Sequence, residues 1–416
     1  MRELFHNPGF VRLWSSGILC GALRWLELLA ISLFILERTD SPLLVAVLTL
    51  LRMAPMFVFG IPAGALADRY DRRRLLIVSL AVLAVASAVL ALLALTGWLA
   101  IWQVALGAFL NGMFWATEFP VRRTMLGELA GPALLSRAMA LESATSNATR
   151  MVGPALGGVL LEAIGLYGVY LLGAILYTVA ALLVARIVYR EARPAGTGGS
   201  LLAMLVEGWR FARAERLILG ALAVTVIVNL WGFAYITMVP VIGERVLQLS
   251  PTLIGVLMST EGFGALLGAL LVGRTDRPRR YSQIYTGSSV LFLLAVLAFA
   301  LSGWASLSFA LILLCGIGIA GFSVMQSTIM FLAAPASLRS RLMGLLTVAI
   351  GAGPIGMLHV GLLADWLGSA HAVALIALEG LLALGVAALL WPELRRPVEL
   401  PAQARSSSAA VGDRRR

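Results

Sequence analysis

Arg24, Glu27, Arg52, Arg150 and Glu261 each stand in the middle of a long apolar run. A charged side chain at the centre of a membrane-length apolar segment costs on the order of 3 kcal/mol or more unless it is paired or wetted, so each of these five needs a reason to be there. The chemistry open to them is proton exchange. A carboxyl group is charged beside one set of neighbours and neutral beside another, so a movement that changes its distance from guanidinium groups binds or releases a proton. Glu27 and Glu261 are the candidate proton carriers, and Arg24, Arg52 and Arg150 the candidate charges that face them. Two plainer readings stay open beside these. Arg24 and Glu27 are three positions apart and can neutralise each other along one helix face, and Glu261 can sit in a purely structural bond. Glu142 lies shallower, and Glu379, in the last apolar run, reads as a local bond. Asn111, Asn147, Asn229 and Gln326 read as hydrogen bonds between helices.

Bond-making chemistry finds little support. Cys20 and Cys315 both fall in apolar runs, where a small buried hydrophobe is the ordinary reading. No paired histidines, acidic metal cluster or activated serine or cysteine arrangement is visible. There is no GxxxxGK[ST] phosphate loop, and the chain contains no lysine at all. The sequence therefore predicts no cofactor and no enzyme, with energy drawn from an ion gradient or from the substrate's own gradient.

The elements that hold these residues follow from composition. The 416 residues are 60% hydrophobic and 13% charged, well above the apolar share of roughly 45–50% in soluble domains. Apolar runs of about 20 residues, the length that crosses a hydrocarbon core, recur six times between about 11 and 188 and six times between about 218 and 391. The fourth ends at about 119 and the fifth and sixth cover about 138 to 161 and 165 to 188. Their length and lack of period-two alternation make them helices, giving an all-α membrane protein of twelve transmembrane helices. Arginine gathers on alternate connections, which places those connections and both termini in the cytoplasm and the chain in the inner membrane. The net charge of +11 is spread over all these connections instead of forming one patch, so nucleic acid is not expected as a partner. The sequence divides into a six-helix bundle at 1–189, a linker with an amphipathic helix at 190–216, a second six-helix bundle at 217–391 and a disordered tail at 392–416.

The halves repeat. GALADRYDRR at 64–73 returns as GRTDRPRR at 273–280, PALLSRAM as PASLRSRLM, and GPALGG as GPIGM. Six spans repeated in the same sense resemble the major facilitator superfamily, with two six-helix pseudo-repeats around a central cavity. NPGFVRLW, GALADRYDRRRLL and SRAMALESATSNATRMVGPALGG resemble the branch that contains the enterobactin exporter and drug-efflux proteins. Asp71 stands where the general pattern has glycine. The resemblance implies a gating motif of Gly64, Asp68, Arg69 and Arg72, with Asp276 its second copy. Asp68 would face the N-terminal end of the eleventh helix, and Arg72 would reach Glu118 at the cytoplasmic end of the fourth. Gly153, Pro154, Gly157 and Gly158 resemble the fifth-span motif of antiporters, although Ala140 and Thr149 replace two of its glycines. The implied function is a secondary active exporter of a drug-like or siderophore-like amphipathic molecule, working as a monomer in lipid and exchanging it for protons. An uptake symporter, and a transporter-like sensor or assembly protein, are the alternatives.

Overall fold

The helix α4 (Arg72–Leu95) shows what solvates this chain. Leu76, Leu80, Leu83 and Leu90 are buried on one stripe, while Val78, Val82, Val85 and Leu92 are exposed on the other. A helix of a soluble protein is polar on its outer stripe. An apolar outer stripe on helix after helix means that the surrounding medium is lipid.

The computed structural model describes residues 2–69, 71–131, 134–189, 201–273, 280–333 and 338–397, with backbone alone in stretches such as 57–69. Asp276, the linker at 190–200 and the tail beyond 397 lie outside the described residues, as do the side chains of Gly64, Asp68 and Arg69. Every regular element among the described residues is helical: α1 (Arg2–Phe5), α2 (Pro8–Thr39), α3 (Pro42–Arg69), α4, α5 (Ile101–Ala130), α6 (Leu135–Ala185), α7 (Leu201–Ala214), α8 (Arg216–Ile227), α9 (Val239–Arg245), α10 (Pro251–Gly273), α11 (Tyr281–Leu301), α12 (Ala305–Ala333), α13 (Arg339–Ile350), α14 (Gly353–Leu367) and α15 (Ser369–Leu390). Nine stretches among the described residues are long and apolar enough to cross a membrane. The twelve passes expected from the sequence need three more. These would be α3, α5 and the second arm of α6, whose 51 residues break at Gly165, a glycine at φ 65°. Between α8 and α9 the helix loosens into a π turn at Val228–Gly232 and a 3₁₀ turn at Phe233–Thr237.

The chain packs as two compact units, and they do not coincide with the two halves of the sequence. The first unit joins Met1–Gly196 with Ile236–Gly262 and Met357–Ser369, and the second holds Thr197–Tyr235, Phe263–Gly356 and Ala370–Arg416. In the first, α2, α4, α5 and α6 close on a core that includes Phe10, Leu23, Leu80, Phe114 and Tyr177. In the second, Tyr285 stacks on Phe322 at 5.3 Å and Phe233 packs on Phe292 at 5.5 Å. Trp231 Nε1 donates to Glu379 there at 2.8 Å, the local bond read for that acid. Gln326 Nε2 donates to Thr225 Oγ1 at 2.9 Å across two helices, whereas Asn229 donates to the Thr225 carbonyl of its own helix. Cys20 and Cys315 are both buried and free.

Asp71, the departure from the general pattern, has a visible role. It precedes α4, and its carboxylate accepts from the Arg74 amide at 2.8 Å, so it caps the helix. We expect Asp71→Ala to cost about 1 kcal/mol and Asp71→Asn to keep most of the stability. Thermal unfolding of the purified protein in detergent measures both, and equal stability of all three would remove the cap.

Candidate functional site

Helix α2 passes through the first unit and presents charges to two separate places. Arg24 turns toward α5, where its Nη2 lies 3.3 Å from Glu118 Oε2 and its guanidinium lies 4.4 Å above the Trp115 ring. Glu118 also takes Arg122 Nε, one helical turn along α5, and Arg122 Nη1 reaches Glu142 Oε1 at 2.6 Å. The guanidinium of Arg122 rests on Gly17, where a methyl group would stand 2.8 Å from Cζ. Arg122, Glu118 and Glu142 are all buried. In the sequence Arg122 reads as a topological anchor beside Arg123; it is instead an internal base held between two acids.

Glu27, three residues beyond Arg24, looks elsewhere. Its Oε2 accepts from Asn111 Nδ2 at 2.9 Å and from the Tyr177 hydroxyl at 3.4 Å. Arg52, on α3, donates to Asn111 Oδ1 at 3.2 Å and to the Arg24 carbonyl at 2.7 Å. Arg24 and Glu27 therefore do not neutralise each other: each has found a partner on a neighbouring helix. Glu27 is 4% exposed and Arg52 2%. Arg52 is thus packed inside the first unit.

A separate charged pair joins α6 to α10. Arg150 Nη2 pairs with Glu261 Oε1, and the Arg150 guanidinium lies 5.3 Å from the Trp25 ring. Beside it the Gly-Pro-Gly-Gly stretch brings α6 against two partners at once. A methyl at Gly157 would stand 2.8 Å from the Leu26 carbonyl oxygen on α2. A methyl on Gly158 would run into the Pro251 carbonyl, and one on Gly255 into the Pro154 carbonyl, so α6 and α10 touch backbone to backbone. Such contact is available only to glycine at both positions. Next to Pro154, the Ala155 amide donates to Ser259 Oγ on α10 at 3.0 Å. Nearer one end, Arg245 pairs with Asp40 and the Thr252 amide donates to Glu162 at 3.2 Å.

At the arginine-rich end, Arg72 meets Glu128 Oε1 at 3.0 Å, and its Nη1 lies 3.4 Å from the Tyr189 hydroxyl. Glu118, the partner expected for Arg72, is occupied by Arg24 and Arg122. Tyr189 donates in turn to Glu128; burial and that bond push its phenol up to about 12, so it stays a donor at physiological pH.

Sequence reasoning missed Tyr170, Tyr177 and Ser87, which wall the space around Glu27. A signal was present: Tyr170 and Tyr177 are seven residues apart, two turns of one helix face, in an otherwise aliphatic run. Among the described residues no group of three or more His, Cys, Asp or Glu is arranged to hold a metal ion.

Known proteins can now be set beside this geometry. A family described as transmembrane secretion effector matches residues 4–410. The multidrug efflux pump Tap of Mycolicibacterium fortuitum is 29% identical over 395 residues, 91% of this chain and 95% of that one. The staphyloferrin A transporter of Staphylococcus aureus is 24% identical over 68% of this chain and 72% of its own, and macrolide efflux protein A of Streptococcus pyogenes is 24% identical over 82% and 86%. Among solved structures, a bacterial homologue of the human lysosomal transporter Spinster, inward-facing and unoccupied, superposes with a TM-score of 0.73 at 15% identity, covering 95% of this chain and 98% of that one. A bacterial homologue of the iron transporter ferroportin, also inward-facing, gives 0.66 at 16% over 93% and 98%.

Proposed function

The chain belongs to the transmembrane secretion effectors of the major facilitator superfamily, and from that premise we propose that it exports an amphipathic small molecule by alternating access, in exchange for protons moving inward. It is a multi-pass helical membrane protein. In this reading it makes twelve passes through the cytoplasmic membrane with both termini inside, and acts as a monomer on a cargo of the drug or siderophore kind, as the names of its relatives suggest.

One observation carries the reading. The segments Ile236–Gly262 and Met357–Ser369 pack with the N-terminal helices in one unit, and the Arg245–Asp40 pair lies among the short, arginine-poor connections. Closure at one membrane face is what alternating access requires of each end state. The gate at the opposite face is assigned to Gly64, Asp68, Arg69, Arg72 and Asp276. Proton carriage is assigned to Glu27, because Glu261 is engaged by Arg150.

Proteoliposomes with an imposed pH gradient and a panel of macrolide, siderophore and cationic dye cargoes test this. Wild-type protein should drive at least one cargo against its gradient. Glu27→Gln should lose that drive and retain exchange down a cargo gradient. Wild-type transport indifferent to the pH gradient would sink proton antiport.

A further inference from the structure

Of the buried polar atoms in the first unit that find no hydrogen-bond partner in the protein, three lie together: Glu27 Oε1, Arg52 Nη1 and the Tyr170 hydroxyl. They come from three different helices, and all three residues line one small cavity of ≈ 10 Å³, which Ser87 and Asn111 also wall. An orphaned buried donor or acceptor costs about 1–3 kcal/mol, and a charged one more. Three such atoms lining one small cavity call for a polar partner there. The space is about that of a single water molecule, and a buried water needs two to four polar partners.

We propose that this cavity holds one water, accepting from Arg52 Nη1 and the Tyr170 hydroxyl and donating to Glu27 Oε1 and Ser87 Oγ. A methyl placed on Gly173 would lie 3.2 Å from Glu27 Oε1 and 3.4 Å from Ser87 Oγ, so both atoms face the same glycine of α6. The arrangement satisfies all four valences of a water. It also gives Glu27 a proton donor that does not depend on cargo. A proton that reaches this water from bulk solvent as hydronium forms an O–H bond at Oε1 and leaves neutral water in the cavity, while Oε2 keeps its bond from Asn111. Tyr170 is a positioning residue here: it orients the water and never carries the proton.

The groups that set the field at Glu27 can be named helix by helix. Its own helix supplies Arg24 and Cys20, α3 supplies Arg52 and α6 supplies Tyr170 and Tyr177. From α5 come neutral Asn111 and, one step out beside Arg24, Glu118, while α4 offers only Ser87.

The inference rests on the proton-antiport reading for its role in transport, but the water itself is tested separately. A cryo-EM map fine enough to show ordered solvent should contain one peak within hydrogen-bond distance of Glu27, Arg52 and Tyr170; an empty cavity in such a map overturns the proposal. In proteoliposomes, Tyr170→Phe removes one donor to the water and so disfavours the charged carboxylate beyond it. The pH midpoint of proton-driven export should move up by about one unit, the equivalent of one hydrogen bond, with cargo exchange down its own gradient unchanged. Ser87→Ala, which leaves the fold's apolar contacts in place, removes an acceptor and not a donor, and should move the midpoint by less. If both variants keep the wild-type midpoint while wild-type export is proton-driven, the site does not hold the transported proton. If wild-type export ignores pH, the antiport reading falls, whatever the map shows.

Discussion

Replacing Arg122 by leucine should cost the folded protein about 3–5 kcal/mol, because it strips a shared base from two buried carboxylates. Among the described residues Glu142 Oε1 is held by Arg122, and its Oε2 is already buried without a partner. Glu118 would retain Arg24. The two acids therefore respond differently to rescue: adding Glu142→Gln to Arg122→Leu should recover part of the loss, and adding Glu118→Gln should recover less. Melting temperature in detergent, followed by size-exclusion chromatography, reads this directly. A melting temperature unchanged in Arg122→Leu would mean that the cluster contributes nothing to the fold.

The second large effect is expected at the crossing of α6 and α10. Gly158 and Gly255 face carbonyl oxygens of the opposite helix and not the ends of flexible side chains, so no rotamer change can make room for a valine. The helices must part. Overpacking of this kind costs about 1–3 kcal/mol, which a folded bundle survives. Gly158→Val or Gly255→Val should therefore reach the membrane in normal amounts yet export cargo at background level. A cysteine placed at Leu249 should at the same time become more reactive toward a membrane-impermeant maleimide added from outside. Full export by either variant would remove the crossing from the transport cycle.

Depth along a helix, more than its existence, is what the sequence left illegible. The all-helical, membrane-spanning character and the break near Gly165 were readable, because glycine spacing and apolar run length are local properties. Partners were not. The fourth run reads as ending at about residue 119, but α5 continues as helix to Ala130 through Glu118, Arg122, Arg123 and Glu128. Eleven further residues move the helix end by roughly 16 Å at 1.5 Å per residue. This brings Glu128 to Arg72 and leaves Glu118 deep enough for Arg24. The extension is invisible to hydropathy because charged residues that satisfy one another inside a bundle look, in sequence, like a solvated connection. The spacing of Arg24 and Glu27 likewise fixes only that they share a side of α2. Which of them a neighbouring helix claims depends on Glu118 and Asn111, some 84 to 94 residues away.

The interior of the first unit has a property that no single contact displays. Arg24, Arg52 and Arg122 stand in or beside it against Glu27, Glu118 and Glu142. Guanidinium groups hold their protons at any pH a cell meets, so this interior is electroneutral only while all three acids are ionised. Protonating Glu27 leaves one elementary charge uncompensated in a medium of low dielectric. A charge so placed responds to the membrane potential, at about 2.3 kcal/mol per 100 mV for a full crossing and proportionately less for a partial one. If Glu27 carries the exchanged proton as proposed, voltage acts on the same equilibrium as acidity, and a potential imposed at equal pH on both sides should load or unload the bundle.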